Sequence, residues 1–208
     1  MGLNKGNQLE KWLFELLAKK HVYTFSDLKK DNLKVVVSDL SLRKLVVIPD
    51  DLERLYGINP RYFPVAKAVR MSCGIPYFFI PKKMPGKNKR KSLIVDGALL
   101  SNFPMWIFNH NGNRYKRPVL GVTLSETEGQ LEKWKPVRNV LQLSHALFTT
   151  MKTAHDTHYI SKNDSKHIIF IPVTEVEAVD FDLNQAEKEE LIALGEKYAD
   201  SFLKHWPS

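Results

Sequence analysis

A single cysteine, Cys73, stands among 208 residues, so no disulfide can form within the chain and a reducing, cytoplasmic setting is expected. No apolar run approaches the roughly 20 residues of a membrane-spanning helix. The opening Met1-Gly2-Leu3-Asn4-Lys5-Gly6 lacks the apolar core of a signal peptide and the Ser or Thr that myristoylation requires. No Gly-rich phosphate loop occurs, and no Gly-x-Ser-x-Gly, the strand-to-helix turn that presents a nucleophilic serine. Acids are outnumbered by bases, 23 to 31, for a formal charge of +8. That excess draws anions, phospholipid headgroups and nucleic acid among them. The densest basic run is Lys82-Lys83, Lys87, Lys89, Arg90 and Lys91, broken by Pro85, Gly86 and Asn88. Those breakers mark a solvated hairpin loop. No aromatic residue interleaves for base stacking, so no nucleic-acid partner is expected; charge alone leaves peripheral contact with an anionic membrane surface.

Length and an apolar fraction of 43% fit an ordinary globular protein with a sizeable core. Leu9, Trp12, Leu13, Leu16 and Leu17 recur at helical spacing and predict an amphipathic helix of about four turns that packs on a core. Thr24-Phe25-Ser26-Asp27 reads as an N-cap and acidic first turn. Lys34–Ser38 and Lys44–Ile48 are β-branched runs, expected as paired strands, and Pro49-Asp50 opens a brief helix ending near Gly57. Pro64 to Cys73 predicts a helix of small residues, stopped by Gly74. Tyr77–Ile80 and Leu93–Val95 flank the basic loop as a hairpin. Further strands are expected at Pro118–Leu124 and His167–Ile171, with helices from Met105, from Val137 towards Tyr159 and from Glu187 to Leu203. Strands alternating with helices argue α/β, read as one domain over residues 1–208.

The stretch Leu93-Ile94-Val95-Asp96-Gly97-Ala98 runs from an apolar strand into an acid and two small residues, then turns at Asn102 and Pro104. An Asp-Gly turn is one reading. The other places Asp96 at a strand's C-terminal end, where α/β sheets carry chemistry. Ser72, in Arg70-Met71-Ser72-Cys73-Gly74, ends a helix instead of following a strand and reads as structural; a hydrolase using Ser72 with His145 or His155 is the outside alternative. Cys73 has no activating His beside it and reads as a buried thiol. His145, His155 and His158 lack a third ligand at telling spacing, so neither metal nor cofactor is expected.

The motif Asp96-Gly97-Ala98, followed by Asn102 and Pro104, resembles the Asp-Gly-Ala/Gly signature and Asn-x-Pro continuation of bacterial patatin-like phospholipases, in their C-terminal part. Ala66 to Ser72 and Ile75-Pro76 through Pro81 resemble that family's Ala-rich helix and Ile-Pro-x-Phe-x-Pro segment. The resemblance implies a three-layer α/β fold around a mostly parallel sheet, here lacking its N-terminal strands and nucleophile elbow. It also implies a lipid acyl hydrolase with a Ser-Asp dyad, in which Asp96 is the general base and Asn102 holds the turn. In that family the oxyanion loop and the Gly-x-Ser-x-Gly serine precede the region matched here. The chain is therefore expected to supply the dyad's aspartate and to act on a lipid or acyl ester only when completed by an N-terminal fragment bearing the serine. A non-catalytic lipid- or protein-binding remnant is the alternative.

Overall fold

Two valine-rich runs joined by a short link can pair only as a hairpin, because parallel strands need a crossover of a dozen residues or more. In the computed structural model they form β1 (Val35–Asp39) and β2 (Lys44–Ile48), with Val36 opposite Val47. The link is an aspartate turn: Asp39 Oδ1 accepts from the Ser41 and Leu42 amides at 2.8 and 2.9 Å. The structure describes residues 4–86, 90–100, 104–108, 118–125, 137–138, 142, 146, 150, 167–173, 176 and 182–206. The chain divides into two compact units, Met1–Asn102 and Phe103–Ser208.

In the first unit, β3 (Lys82–Pro85) and β4 (Lys91–Asp96) complete an antiparallel sheet of order β2-β1-β4-β3, so β4 is flanked on both sides. The basic residues Lys82, Lys83 and Lys91 lie in these strands, and Gly86 closes the tip by donating to Arg90 O at 2.7 Å. The expected strand at Tyr77–Ile80 is instead a turn. Tyr77 lies at φ 68° in the left-handed region, and the Phe79 amide donates back to Ile75 O at 2.9 Å. Phe79 is buried there against Arg70, a tertiary contact that outweighs the β propensity of the Tyr-Phe-Phe-Ile run.

Helix α1 (Asn7–Ala18) starts at Gly6, and α2 (Val65–Ser72) follows Pro64. Val37, Val46, Ile48, Leu52, Ala68, Met71, Met84 and Ile94 are joined in one buried cluster between α2 and the sheet. Leu52–Tyr56, a π-helical turn stopped by Gly57, adds Tyr56, whose hydroxyl donates to the buried Asp39 Oδ2 at 2.7 Å. The stripe of α1 falls short of the expected core packing: no residue of α1 is fully buried and Trp12 is 55% exposed. The helix packs along α2, and Trp12, Phe14 and Leu16 are exposed.

In the second unit, β5 (Gly121–Ser125) pairs in parallel with β6 (Ile168–Pro172), with Thr123 opposite Phe170. The final helix, α3 (Gln185–Leu203), opens with a capping box in which Asn184 accepts from the Glu187 amide and Glu187 from the Asn184 amide. It packs on β6. The fold is thus mixed α/β. Among the described strands the parallel pairing expected for most of a central sheet is confined to β5–β6, while the sheet holding Asp96 is built of hairpins. Most of the helix expected from Val137 to Tyr159 lies outside the described residues.

Candidate active site

Asp96 is the last residue of β4, half-buried, and opposite Val37 of β1. Its carboxylate caps the short 3-10 turn Gly97–Leu99, Oδ1 accepting from the Ala98 amide at 2.8 Å. The backbone N–H of Asp96 donates to Gly74 O at 3.1 Å, just beyond the end of α2. Gly97 is pressed against β1: a Cβ there would stand 2.3 Å from Val36 O and 2.7 Å from its carbonyl carbon. Ser38 Oγ donates to Gly97 O at 3.4 Å. The acid is therefore fixed by main chain on three sides, on a strand with neighbours on both edges. Asp-Gly-Ala is needed for packing as much as for turning: only a residue without a side chain fits beneath Val36 O.

The end of α2 meets the same carbonyl. Ser72 Oγ donates to Val36 O at 2.8 Å, tying α2 to β1. That bond commits the hydroxyl proton to a backbone acceptor and fits the structural role that its position at a helix end suggested. Cys73 follows and is exposed, where the sequence suggested a buried thiol. Nearby protein still desolvates the sulfur, and this, with the negative charge of Asp96, holds the thiol above its ordinary pKa against the opposing pull of Arg70. A thiol so protonated is a poor nucleophile at neutral pH.

Arg70 is the residue that the sequence reading passed over. It is fully buried. Its Nε donates to Gly6 O and its Nη2 to Lys5 O, both at 3.1 Å, and the guanidinium lies 4.1 Å from the centre of the Phe79 ring. Burial pulls its pKa below the usual arginine value, partly offset by the charge of Glu10. The available signal was a charged residue four positions after Ala66, on the buried face of a small-residue helix. Asn102, His145, His155 and His158 lie outside the described residues. Pro104, in the second unit, is half-buried and accepts from the Ile107 amide at 3.1 Å, opening the 3-10 turn Met105–Phe108. No described helix is long and apolar enough to cross a membrane.

Comparison with known proteins agrees with the motif. Over 206 residues, 99% of this chain, the sequence is 48% identical to the uncharacterized protein YqhO of Bacillus subtilis, of which it covers 69%. It is 27% identical over 207 residues to the uncharacterized protein R571 of Acanthamoeba polyphaga mimivirus, of which it covers 63%. The family model for patatin-like phospholipase matches residues 2–109, a span that holds β1 to β4, α1, α2 and Asp96. The chain belongs to the patatin-like phospholipase family.

Proposed function

We propose that this chain provides the general base of a lipid acyl ester hydrolase, with Asp96 as that base. The observation that carries the reading is the fastening of Asp96 at the end of a central strand: its half-buried carboxylate accepts from Ala98 N–H, its own backbone N–H donates to Gly74 O, and Gly97 beside it seats closely on Val36. A base must stay within hydrogen-bond reach of the proton it removes, and a carboxylate anchored by backbone keeps that geometry. In the reaction, Asp96 accepts the proton of a serine hydroxyl as the serine oxygen attacks the ester carbonyl. Collapse of the tetrahedral intermediate breaks the ester C–O bond and returns the proton to the leaving alcohol. Water, deprotonated by the same carboxylate, then attacks the acyl-serine carbonyl; the serine C–O bond breaks, the fatty acid leaves and the proton returns to the serine oxygen.

The sequence has no Gly-x-Ser-x-Gly, so this reading draws the serine and the oxyanion donors from a segment outside these 208 residues. It draws the substrate from the lipid class of the family. The basic run Lys87, Lys89, Arg90 and Lys91 is read as the contact with an anionic membrane surface.

The test joins the chain to a Gly-x-Ser-x-Gly-bearing N-terminal portion of a patatin-like phospholipase and follows hydrolysis of a p-nitrophenyl acyl ester. The joined protein is expected to be active and to lose about 100-fold or more with Asp96→Asn, the scale of a general base. Ser72→Ala is expected to leave the turnover within about threefold. Hydrolysis that survives Asp96→Asn refutes the reading. Hydrolysis by the 208-residue chain alone, abolished by Ser72→Ala, replaces it with a self-contained Ser72 enzyme.

A further inference from the structure

Buried arginines are costly, because desolvating the guanidinium must be offset by well-placed acceptors. No carboxylate among the described residues forms an ion pair with Arg70; its acceptors are the carbonyls of Lys5 and Gly6. Gly6 is shaped to this guanidinium. It lies at φ 65°, and a Cβ there would fall 2.2 Å from Arg70 Nε. On the other side, a Cβ on Gly74 would lie 3.6 Å from Arg70 Nη1 and 3.4 Å from the backbone nitrogen of Asp96. The side chain therefore spans two places: the chain entering α1, and the glycine whose carbonyl holds Asp96. Nη1 itself is buried and makes no hydrogen bond among the described residues. A side chain that merely filled this space would do better as methionine, which carries no donor needing an acceptor.

We propose that Arg70 is a positioning residue for the reaction: it clamps the chain entering α1 to the α2–β4 junction that carries Asp96, and so sets the spacing between the base and the segment that brings the serine. The inference rests on the reading of Asp96 as base. Arginine suits the task because its planar fork holds two carbonyls at once while its face packs on Phe79; lysine offers a single flexible point of attachment.

Two measurements test the clamp. In the 208-residue chain, amide hydrogen exchange is followed at Glu10, which donates to Gly6 O, and at Asp96 and Ala98. Arg70→Met is expected to speed exchange at both places by about tenfold or more, with Arg70→Lys in between. Faster exchange at Glu10 with Asp96 and Ala98 unchanged means that Arg70 anchors α1 alone, and overturns the proposal. In the joined protein, with kcat referred to folded enzyme by active-site titration, Arg70→Lys is expected to lower kcat about tenfold with KM within twofold, the pattern of an interaction that acts in the transition state. Should Arg70→Met fail to fold, Gly6→Ala pushes on the same guanidinium from its other side and is expected to give the same split. If Asp96→Asn abolishes hydrolysis while Arg70→Lys and Gly6→Ala leave kcat unchanged, the clamp falls and the base stands. If Asp96→Asn has no effect, both fall.

Discussion

Gly97→Ala isolates the contact on which the placement of Asp96 depends. The added methyl would lie 2.3 Å from Val36 O and 3.2 Å from Val36 Cγ1, against backbone in the sheet interior, where no flexible side chain can yield. Forcing one extra carbon into a packed interior costs about 1–3 kcal/mol. Moving Val36 O also strains the Ser72 hydrogen bond at 2.8 Å, worth about 1 kcal/mol. The expected loss is about 2–4 kcal/mol, a fall in the urea midpoint on the order of 1 M or more.

Two other glycines provide internal controls. Gly57 lies at φ 69° with open space around its Cα, so Gly57→Ala meets conformational strain alone, about 1 kcal/mol. Gly86 has no left-handed φ and only an ordinary contact, 3.4 Å to Arg90 O. Gly86→Ala is expected to be neutral or to stabilise by up to about 1 kcal/mol through the unfolded chain. Urea titrations followed by far-UV circular dichroism should therefore rank the losses Gly97 above Gly57 above Gly86. If Gly97→Ala costs no more than Gly86→Ala, the close approach of β1 to the Asp96 turn is wrong, and the packing argument for Asp-Gly-Ala goes with it.

Tyr56 gives a pH prediction. Burial, then its hydrogen bond to Asp39, raises its pKa far above the ordinary tyrosine value. A raised folded-state pKa means stability that is complete below the unfolded value near 10 and declines as pH climbs above it. Tyr56→Phe should flatten that alkaline decline in urea titrations, while costing about 1–3 kcal/mol at neutral pH by leaving Asp39 Oδ2 without its donor. An undiminished alkaline slope would count against the assignment. The Lys82–Glu10 pair, 2.6 Å apart with both side chains partly exposed, is a weaker tie. Glu10→Gln should shift stability by less than about 1 kcal/mol, the shift shrinking in high salt, and a loss of several kcal/mol would show that the pair is buried more deeply than its surface indicates.

Much of the first unit was legible from residue pattern. The β-branched runs located β1 and β2, Pro64 and Gly74 bracketed α2, and Leu93-Ile94-Val95 located the strand that ends at Asp96. These features are local, and local chemistry settles them. The features missed depend on distant residues. Tyr77–Ile80 has the composition of a strand, yet Phe79 is claimed by Arg70, and the pairing passes to Lys82–Pro85, where Met84 is the buried residue. Arg70 itself reads as a surface charge until Lys5, Gly6 and Phe79 surround it. Gly97 reads as a turn glycine, because nothing in the order of residues announces that Val36 O will lie above it.

The main-chain fastening of Asp96 carries an evolutionary consequence. An acid tethered by amides and carbonyls leans on few of the side chains around it, so neighbouring positions other than Gly97 and Arg70 can drift without unseating it. Insertions are another matter. A single residue added within β4 would slip its pairing with β1 and turn the carboxylate to the opposite face.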